Sequence, residues 1–572
     1  MQRFKSIILP MQGHAKSELH WLYNEKYNQN LEEKEKVFSY GSLRFWFSGT
    51  SFRNSEKLLL FVEIPLTMIQ LTSTMNDVPI ESYLLSVLSP VINNLSKEYV
   101  NNAKSTREKA QFETQKADEL MLRRSGIHLD RNQNCVTLTI HFNVPLVNAL
   151  SVNAKATVHA VKDILEHIKT SMQNLNHEKL SEFISCYSKQ MQIRDYLKRQ
   201  HLCAFIANGS ILPRENGTLK PMKNAIPFFS PKELEVSVPF TDGTVLYGMG
   251  IRCGVTVITG GGYSGKSTLL DAIESGVYNH IPSDGREYVI TDDSALKIYA
   301  EDGRPVHNLD LTPFFRHLPQ NKGVSNFSTN HASGSVSQAA NIIEAVCGGS
   351  SLLLIDEDKS ATNFMIRDLN MRKIVKNEPI IPFTDRVREL YTDKGVSTIL
   401  VIGGSSEYLS CADCVILMDD YMVKEITLEI AELDLPQSTP EPDKARWTEI
   451  RRLIPRQTTQ PFLFFHSVTT ENEKKIILDE CSANITLLTS ISANYQINTL
   501  ASVMEQMLTD KEADNDDLIE KARHAVERIF GSGEFESAHT TSIWYEEIRP
   551  LDAFCCANRM RGLNFIEKNG DT

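Results

Sequence analysis

At 572 residues the chain is too long for a single hydrophobic core, and two to four domains are expected. With 41% hydrophobic and 23% charged residues, its composition is globular and excludes bulk disorder. The net charge of −12 hides an asymmetry: residues 1–200 sum to +5 and the rest to −17. A polyanion would therefore meet the front of the chain, although solvated helix faces give the same pattern.

No apolar run approaches the ~20 residues that a membrane helix needs, so no membrane partner is expected. Arg3 and Lys5 are not followed by the long apolar segment of a secretory signal. The ten cysteines are scattered, with Cys411 and Cys414 the one CxxC pair, and read as thiols in a reducing compartment.

In chain order, residues 1–95 mix polar segments with strand-like runs such as LLLFVEI. Residues 96–125 lack proline and glycine and are rich in helix formers, so a helix is expected there. Lys109, Lys116 and Arg123 recur every seven residues and would share a face of it. Together with Lys104, Arg107 and Arg124 they are the candidate nucleic-acid contacts. CVTLTIHF (135–142) alternates as a strand does, and residues 155–200 read as helical. The expected organisation is an α+β N-terminal domain over 1–200, a core over 201–432 and a mostly helical C-terminal domain over 433–572.

From Val255 to about Asp420 strands alternate with helices, the order of a mostly parallel α/β sheet. Within it, Gly260-x4-Gly265-Lys266-Ser267 fits the phosphate-loop pattern, with a β-branched run before it and a helix-forming run after it. Glycines let backbone N–H groups converge on phosphate oxygens, and the helix start adds a favourable dipole. Gly260, Gly261, Gly262, Tyr263, Ser264, Gly265, Lys266, Ser267 and Thr268 are the expected nucleotide-binding residues. Lys266 would meet the β- and γ-phosphates, and Ser267 would hold Mg²⁺. SSLLLIDED (350–358) reads as a buried parallel strand ending in acids. Asp356 would serve the metal, and Glu357 would polarise the attacking water. Ser333-Gly334-Ser335 opens an apolar-striped helix 23 residues before Asp356 and is a candidate anion site.

The strings GMGIRCGVTVITGGGYSGKSTLL, ASGSVSQAANIIEAV, LLLIDEDKSATNFMIRD, STILVIGGSSEYLSCADCVILMD and the terminal ANRMRGL resemble a family of ABC-class ATPases. That family is known from bacteria and includes a kinetoplastid mitochondrial RNA-editing factor. The resemblance runs from about residue 200 to 420. It implies an ABC fold, ATP with Mg²⁺, and a head-to-tail homodimer in which Ser333, Gly334 and Ser335 close on the partner's ATP. It further implies RNA as ligand, a mitochondrial location and an RNA-editing complex. Departures bear on hydrolysis. Asn363 takes the place of the usual aspartate, and no Q-loop glutamine is evident, leaving Asp292 or Asp293. Gly404 or Ser405 stands where a histidine normally touches the γ-phosphate. Slow turnover is the expectation. The rival readings are an ATPase acting on DNA, a small-molecule kinase and a non-hydrolysing scaffold.

Overall fold

The computed structural model describes residues 1–22, 36–49, 57–71, 76–102, 110–215, 218–318, 323–367, 374–375, 377–433, 444–445, 447, 451–453, 465–470, 472–510, 517–531, 544–563 and 565–568. The chain divides into two compact units. One comprises Met1–Ser185, Ala493–Thr499 and Glu527–Glu547; the other comprises Cys186–Ser492, Leu500–Val526 and Ile548–Thr572.

The first unit is built on an antiparallel sheet ordered β1-β2-β3-β6-β4. Its strands are β1 (Phe38–Tyr40), β2 (Leu43–Gly49), β3 (Lys57–Pro65), β4 (Gln111–Glu113), β5 (Ile127–Asp130) and β6 (Cys135–Asn143), with β5 also pairing β6. One face is covered by α1 (Gln2–Ile8), α2 (Asp77–Asn102) and α3 (Ala154–Gln173), which share a core with Phe4, Phe45, Leu60, Leu84, Phe142 and Ile164. The start of α3 is fixed by Asn153, whose side chain accepts from the Ala156 N–H. Val161, Ile164, Leu165, Ile168 and Met172 then form its buried stripe.

The helix expected over 96–125 is corrected here. The helix α2 ends at Asn102, and Gln111–Glu113 is a strand on β6. Phe112 is buried between exposed neighbours, a period of two, and stacks on Phe142 at 6.1 Å. Burial of Leu120, Met121 and Leu122 in succession also departs from a helical stripe. Local helix propensity has yielded to sheet pairing. Lys116 and Arg123 therefore share no helical face, and Lys104, Arg107 and Lys109 lie outside the described residues.

The second unit carries a six-stranded sheet ordered β12-β15-β16-β10-β17-β18. Its strands are β10 (Val255–Gly260), β12 (Leu296–Ile298), β15 (Leu352–Asp356), β16 (Ser397–Val401), β17 (Cys414–Asp419) and β18 (Met422–Glu425). The first five in that order pair in parallel, and β18 is antiparallel. Continuous burial along LLLID and STILV shows a sheet covered on both faces. Pairing of Val401 with both Ile258 and Asp356 brings the carboxyl ends of β10, β15 and β16 to one edge. A second, antiparallel sheet joins β7 (Leu202–Ala207), β8 (Glu235–Pro239), β9 (Val245–Arg252) and β11 (Val289–Thr291). Between the phosphate-loop helix α5 (Lys266–Ser275) and β15 lie a short antiparallel pair, β13 (Val306–Leu309) with β14 (Phe327–Thr329), and the helix α6 (Gly334–Cys347).

In the described C-terminal residues three helices stand beside five short strands, three of which form a sheet over Phe465–Asn484. The split between units falls inside the helix α4 (His177–Gln200). Among the described residues no helix is long and apolar enough to cross a membrane. None of the ten cysteines forms a disulfide.

Candidate nucleotide site

The loop between β10 and α5 is shaped by two glycines with positive φ, Gly260 at +146° and Gly265 at +99°. A Cβ on Gly260 would lie 2.2 Å from the Met418 carbonyl oxygen, so only glycine fits there. The helix α5 has no side-chain cap at Gly265, which leaves its first N–H groups for an anion. Ser264 is buried and donates to the Gly261 carbonyl at 2.9 Å, tying the loop together. Tyr263, also at positive φ, is 99% exposed.

Lys266 lies over this loop, its Nζ donating to the carbonyls of Gly260 (2.8 Å) and Gly261 (2.7 Å). Ser267 Oγ donates to Asp356 Oδ2 at 3.1 Å, and Asp356 is buried at the end of β15. A hydroxyl and a carboxylate converging at a helix start are the hard oxygen donors that Mg²⁺ takes, so the pair fits that ion. The carboxylate of Glu357 is held by backbone amides: Oε2 accepts from the N–H groups of Gly403 (2.6 Å) and Gly404 (3.4 Å). The segment that lacks a histidine thus orients the adjacent glutamate with its backbone.

A polar cavity of about 620 Å³ opens beside this pair, lined by Ser267, Asp356, Asp358, Lys297 and Tyr299 among others. Lys297 sits between Asp271 (2.5 Å) and Glu274 (3.1 Å). Burial opposes its charge, but Glu274 and Asp271 outweigh that and raise its pKa.

The helix α6 starts at Ser333, which is exposed and makes no side-chain cap bond. Gly334 and Ser335 follow in its first turn, half-buried. Sequence reasoning missed Gln338 on this helix. Fully buried, it accepts from the Ala361 N–H (2.8 Å) and donates to Ser360 Oγ (2.9 Å). Ser360 in turn donates to the Asp356 carbonyl at 2.8 Å. Helix α6 is thereby tied to the loop after the Asp-Glu pair. Gln338 lies on the helix face opposite the apolar stripe, so periodicity gave no signal for its burial. Asn363 is exposed and accepts from Arg367 at 3.0 Å. Asp292 caps its own turn by accepting from the Ser294 N–H and hydroxyl, while the Asp293 carbonyl accepts from Arg549. The side chain of Asp292 thus holds a turn in place, whereas at Asp293 it is the backbone that is bound.

The nucleic-acid candidates fare differently. Lys116 is exposed. Arg123 is half-exposed, with its Nε 4.0 Å from Glu547. Arg124 is corrected: its side chain is 1% exposed and bonded to Glu546 (2.8 Å) and Asp118 (2.5 Å), out of reach of a phosphate. Burial works against its charge, but the two carboxylates outweigh it and raise its pKa.

Residues 176–452 match the ABC_ATPase P-loop domain family. Over 287 residues the chain is 28% identical to an uncharacterized protein of Methanocaldococcus jannaschii, covering 48% of this chain and 63% of that protein. The chain therefore spans less than two thirds of that relative's length. Among solved structures, cbiO1 of Clostridium perfringens, part of an ABC transporter complex, is 16% identical with a TM-score of 0.23, over 35% of this chain and 89% of that one. A putative metal-chelate type ABC transporter in an inward-facing conformation is 15% identical with a TM-score of 0.24, over 39% of this chain and 82% of that one. The core has the fold and phosphate loop of an ABC-type P-loop ATPase domain, and it is that domain's family that residues 176–452 match, a class that generally uses nucleotide with Mg²⁺.

Proposed function

We propose that the chain is a slow ATPase in which bound ATP clamps two copies together and so controls the grip of the first unit on RNA. The observation that carries the enzymatic half is the convergence of Lys266, Ser267, Asp356 and Glu357 at one sheet edge. Lys266 would compensate phosphate charge, Ser267 and Asp356 would hold Mg²⁺, and Glu357 would take up a proton from water. The amides of Gly403 and Gly404 orient that carboxylate, yet no imidazole stands there to charge-stabilise the departing phosphate, which supports slow turnover. The uncapped start of α6 at Ser333 is suited to an anion supplied by a second copy.

For RNA, one basic line among the described residues runs along α3. Lys155, Lys162 and Lys169 lie close to one line along it, at seven-residue spacing. Asp163 and Glu166, which accept from Tyr99 (2.6 Å) and Tyr40 (2.5 Å), are held by these bonds but keep their charge and dilute the line. Such a line gives backbone contacts that are sequence-tolerant and salt-sensitive. On the strength of the family resemblance, mitochondrial RNA editing is the setting proposed for this activity.

The test is light scattering and RNA titration with and without ATP. Glu357→Gln with ATP and Mg²⁺ should form a dimer and change RNA affinity, and Lys266→Ala should do neither. Equal RNA affinity with and without ATP would refute the linkage.

A further inference from the structure

Helix α6 is held at its start by residues more than 200 positions away. Arg561 donates through Nη1 to the Asn330 carbonyl (2.6 Å) and through Nη2 to that of Gly303. Those two carbonyls flank a tight cross-strap: the Gly303 N–H donates to Ala332 (2.7 Å) and the Ala332 N–H to Arg304 (2.9 Å). The strap leads directly into Ser333 and Gly334, where a Cβ on Gly334 would lie 3.2 Å from Asp302 Oδ1. Two residues before Arg561, the buried Arg559 forks onto Glu301 (2.5 and 3.1 Å) and reaches Asn341 on α6 (2.9 Å). Arg304 mirrors it, paired with Glu344 on α6 (2.8 Å) and with the Asn558 carbonyl (3.2 Å). The backbone of Arg561 is anchored in turn by two bonds to Ser482.

Arg559 and Arg304 are buried and build the core of this junction, but Arg561 is half-buried and meets only carbonyl oxygens. A rigid fork bridging two loop carbonyls fixes a backbone conformation rather than a fold. We infer that Arg561 is a positioning residue for the Ser333–Gly334 turn, and that the C-terminal Asn558–Arg561 segment is a working part of the ATPase site. The effect on turnover rests on the reading that this turn meets ATP; the effect on the turn itself does not.

The two are read separately on the full chain with Arg561→Ala, Arg561→Gln and Arg561→Lys. Hydrogen exchange at the Gly303 and Ala332 amides should quicken about tenfold in Arg561→Ala, with the phosphate-loop amides unchanged. Arg561→Lys, able to keep one of the two bonds, should fall between. ATP affinity should stay within about twofold while turnover falls about tenfold, the split expected when only a closing contact is lost. Unchanged exchange at both amides would overturn the inference. So would faster exchange throughout, with a lower melting temperature and with affinity and turnover lost together. Local loosening with normal turnover would uphold the positioning and overturn the reading of the turn as an ATP contact. Should Arg561→Ala fail to fold, Arg561→Gln gives the same readouts.

Discussion

At the scale of single residues, the roles at the sheet edge separate by substitution. Lys266→Ala removes an ammonium whose charge-assisted bonds to phosphate are worth about 1.5–3 kcal/mol each, so ATP affinity should fall ~10-fold to 100-fold. Calorimetric titration checks this. Glu357→Gln keeps an oxygen to accept from Gly403 and Gly404 but cannot take a proton. Turnover should fall by about 10²–10⁴ with ATP affinity unchanged. Gly404 offers the converse experiment. A Cβ there meets nothing within 4 Å, so a larger side chain has room. Gly404→His should raise turnover about tenfold if a missing imidazole is what limits the rate. An unchanged or lower rate would trace the slowness to another step. Arg124→Ala, by contrast, strands the buried Asp118 and Glu546 and should cost about 3–5 kcal/mol of stability, read by denaturant titration.

At the scale of elements, α2 carries a pH response in Glu81. Its side chain is buried and accepts from the Leu129 N–H at 2.8 Å. Burial pushes its pKa up to about 7. The folded state then holds a proton that the unfolded chain has lost, so stability is greatest below the unfolded pKa and declines as pH rises through 7. Glu81→Gln should remove that decline and be the more stable protein at pH 8 by about 3 kcal/mol, from denaturant midpoints at two pH values. On α3, reversing Lys155, Lys162 and Lys169 together should weaken RNA binding and flatten its salt slope by about 2, at ~0.7 per phosphate contact. Elements whose pattern and environment agree were legible in sequence. The β-branched run before Gly260, the apolar strand ending at Asp356 and the alternating strand at Cys135 all stand where expected. The stretch after Asn102 was not, because a residue such as Gln115, 0% exposed and bonded to Gly126 and to the Tyr545 carbonyl, is polar in sequence and core in space. Arg124 misled for the same reason. Its partner Glu546 lies 422 positions away, and no local pattern reports it.

For the whole molecule, the expected behaviour with ATP is a change of mass. Glu357→Gln with ATP and Mg²⁺ should sediment at twice the chain mass, and Lys266→Ala at one. The division of the chain adds a temporal constraint. Ala493–Thr499 and Glu527–Glu547 complete the first unit, while the intervening and following stretches complete the second. Glu546, the partner of the buried Arg124, arrives in the last of these. During synthesis, then, the first 185 residues emerge long before Glu546, which pairs with their buried Arg124. Domains that are continuous in sequence can fold one after another from the N-terminus. Here the segments Ala493–Thr499 and Glu527–Glu547 join a unit whose core residues, Phe4 to Leu180, are made more than 300 positions earlier. The hydrophobic core from Phe4 to Leu180 is then available early, while the buried Arg124 waits for Glu546.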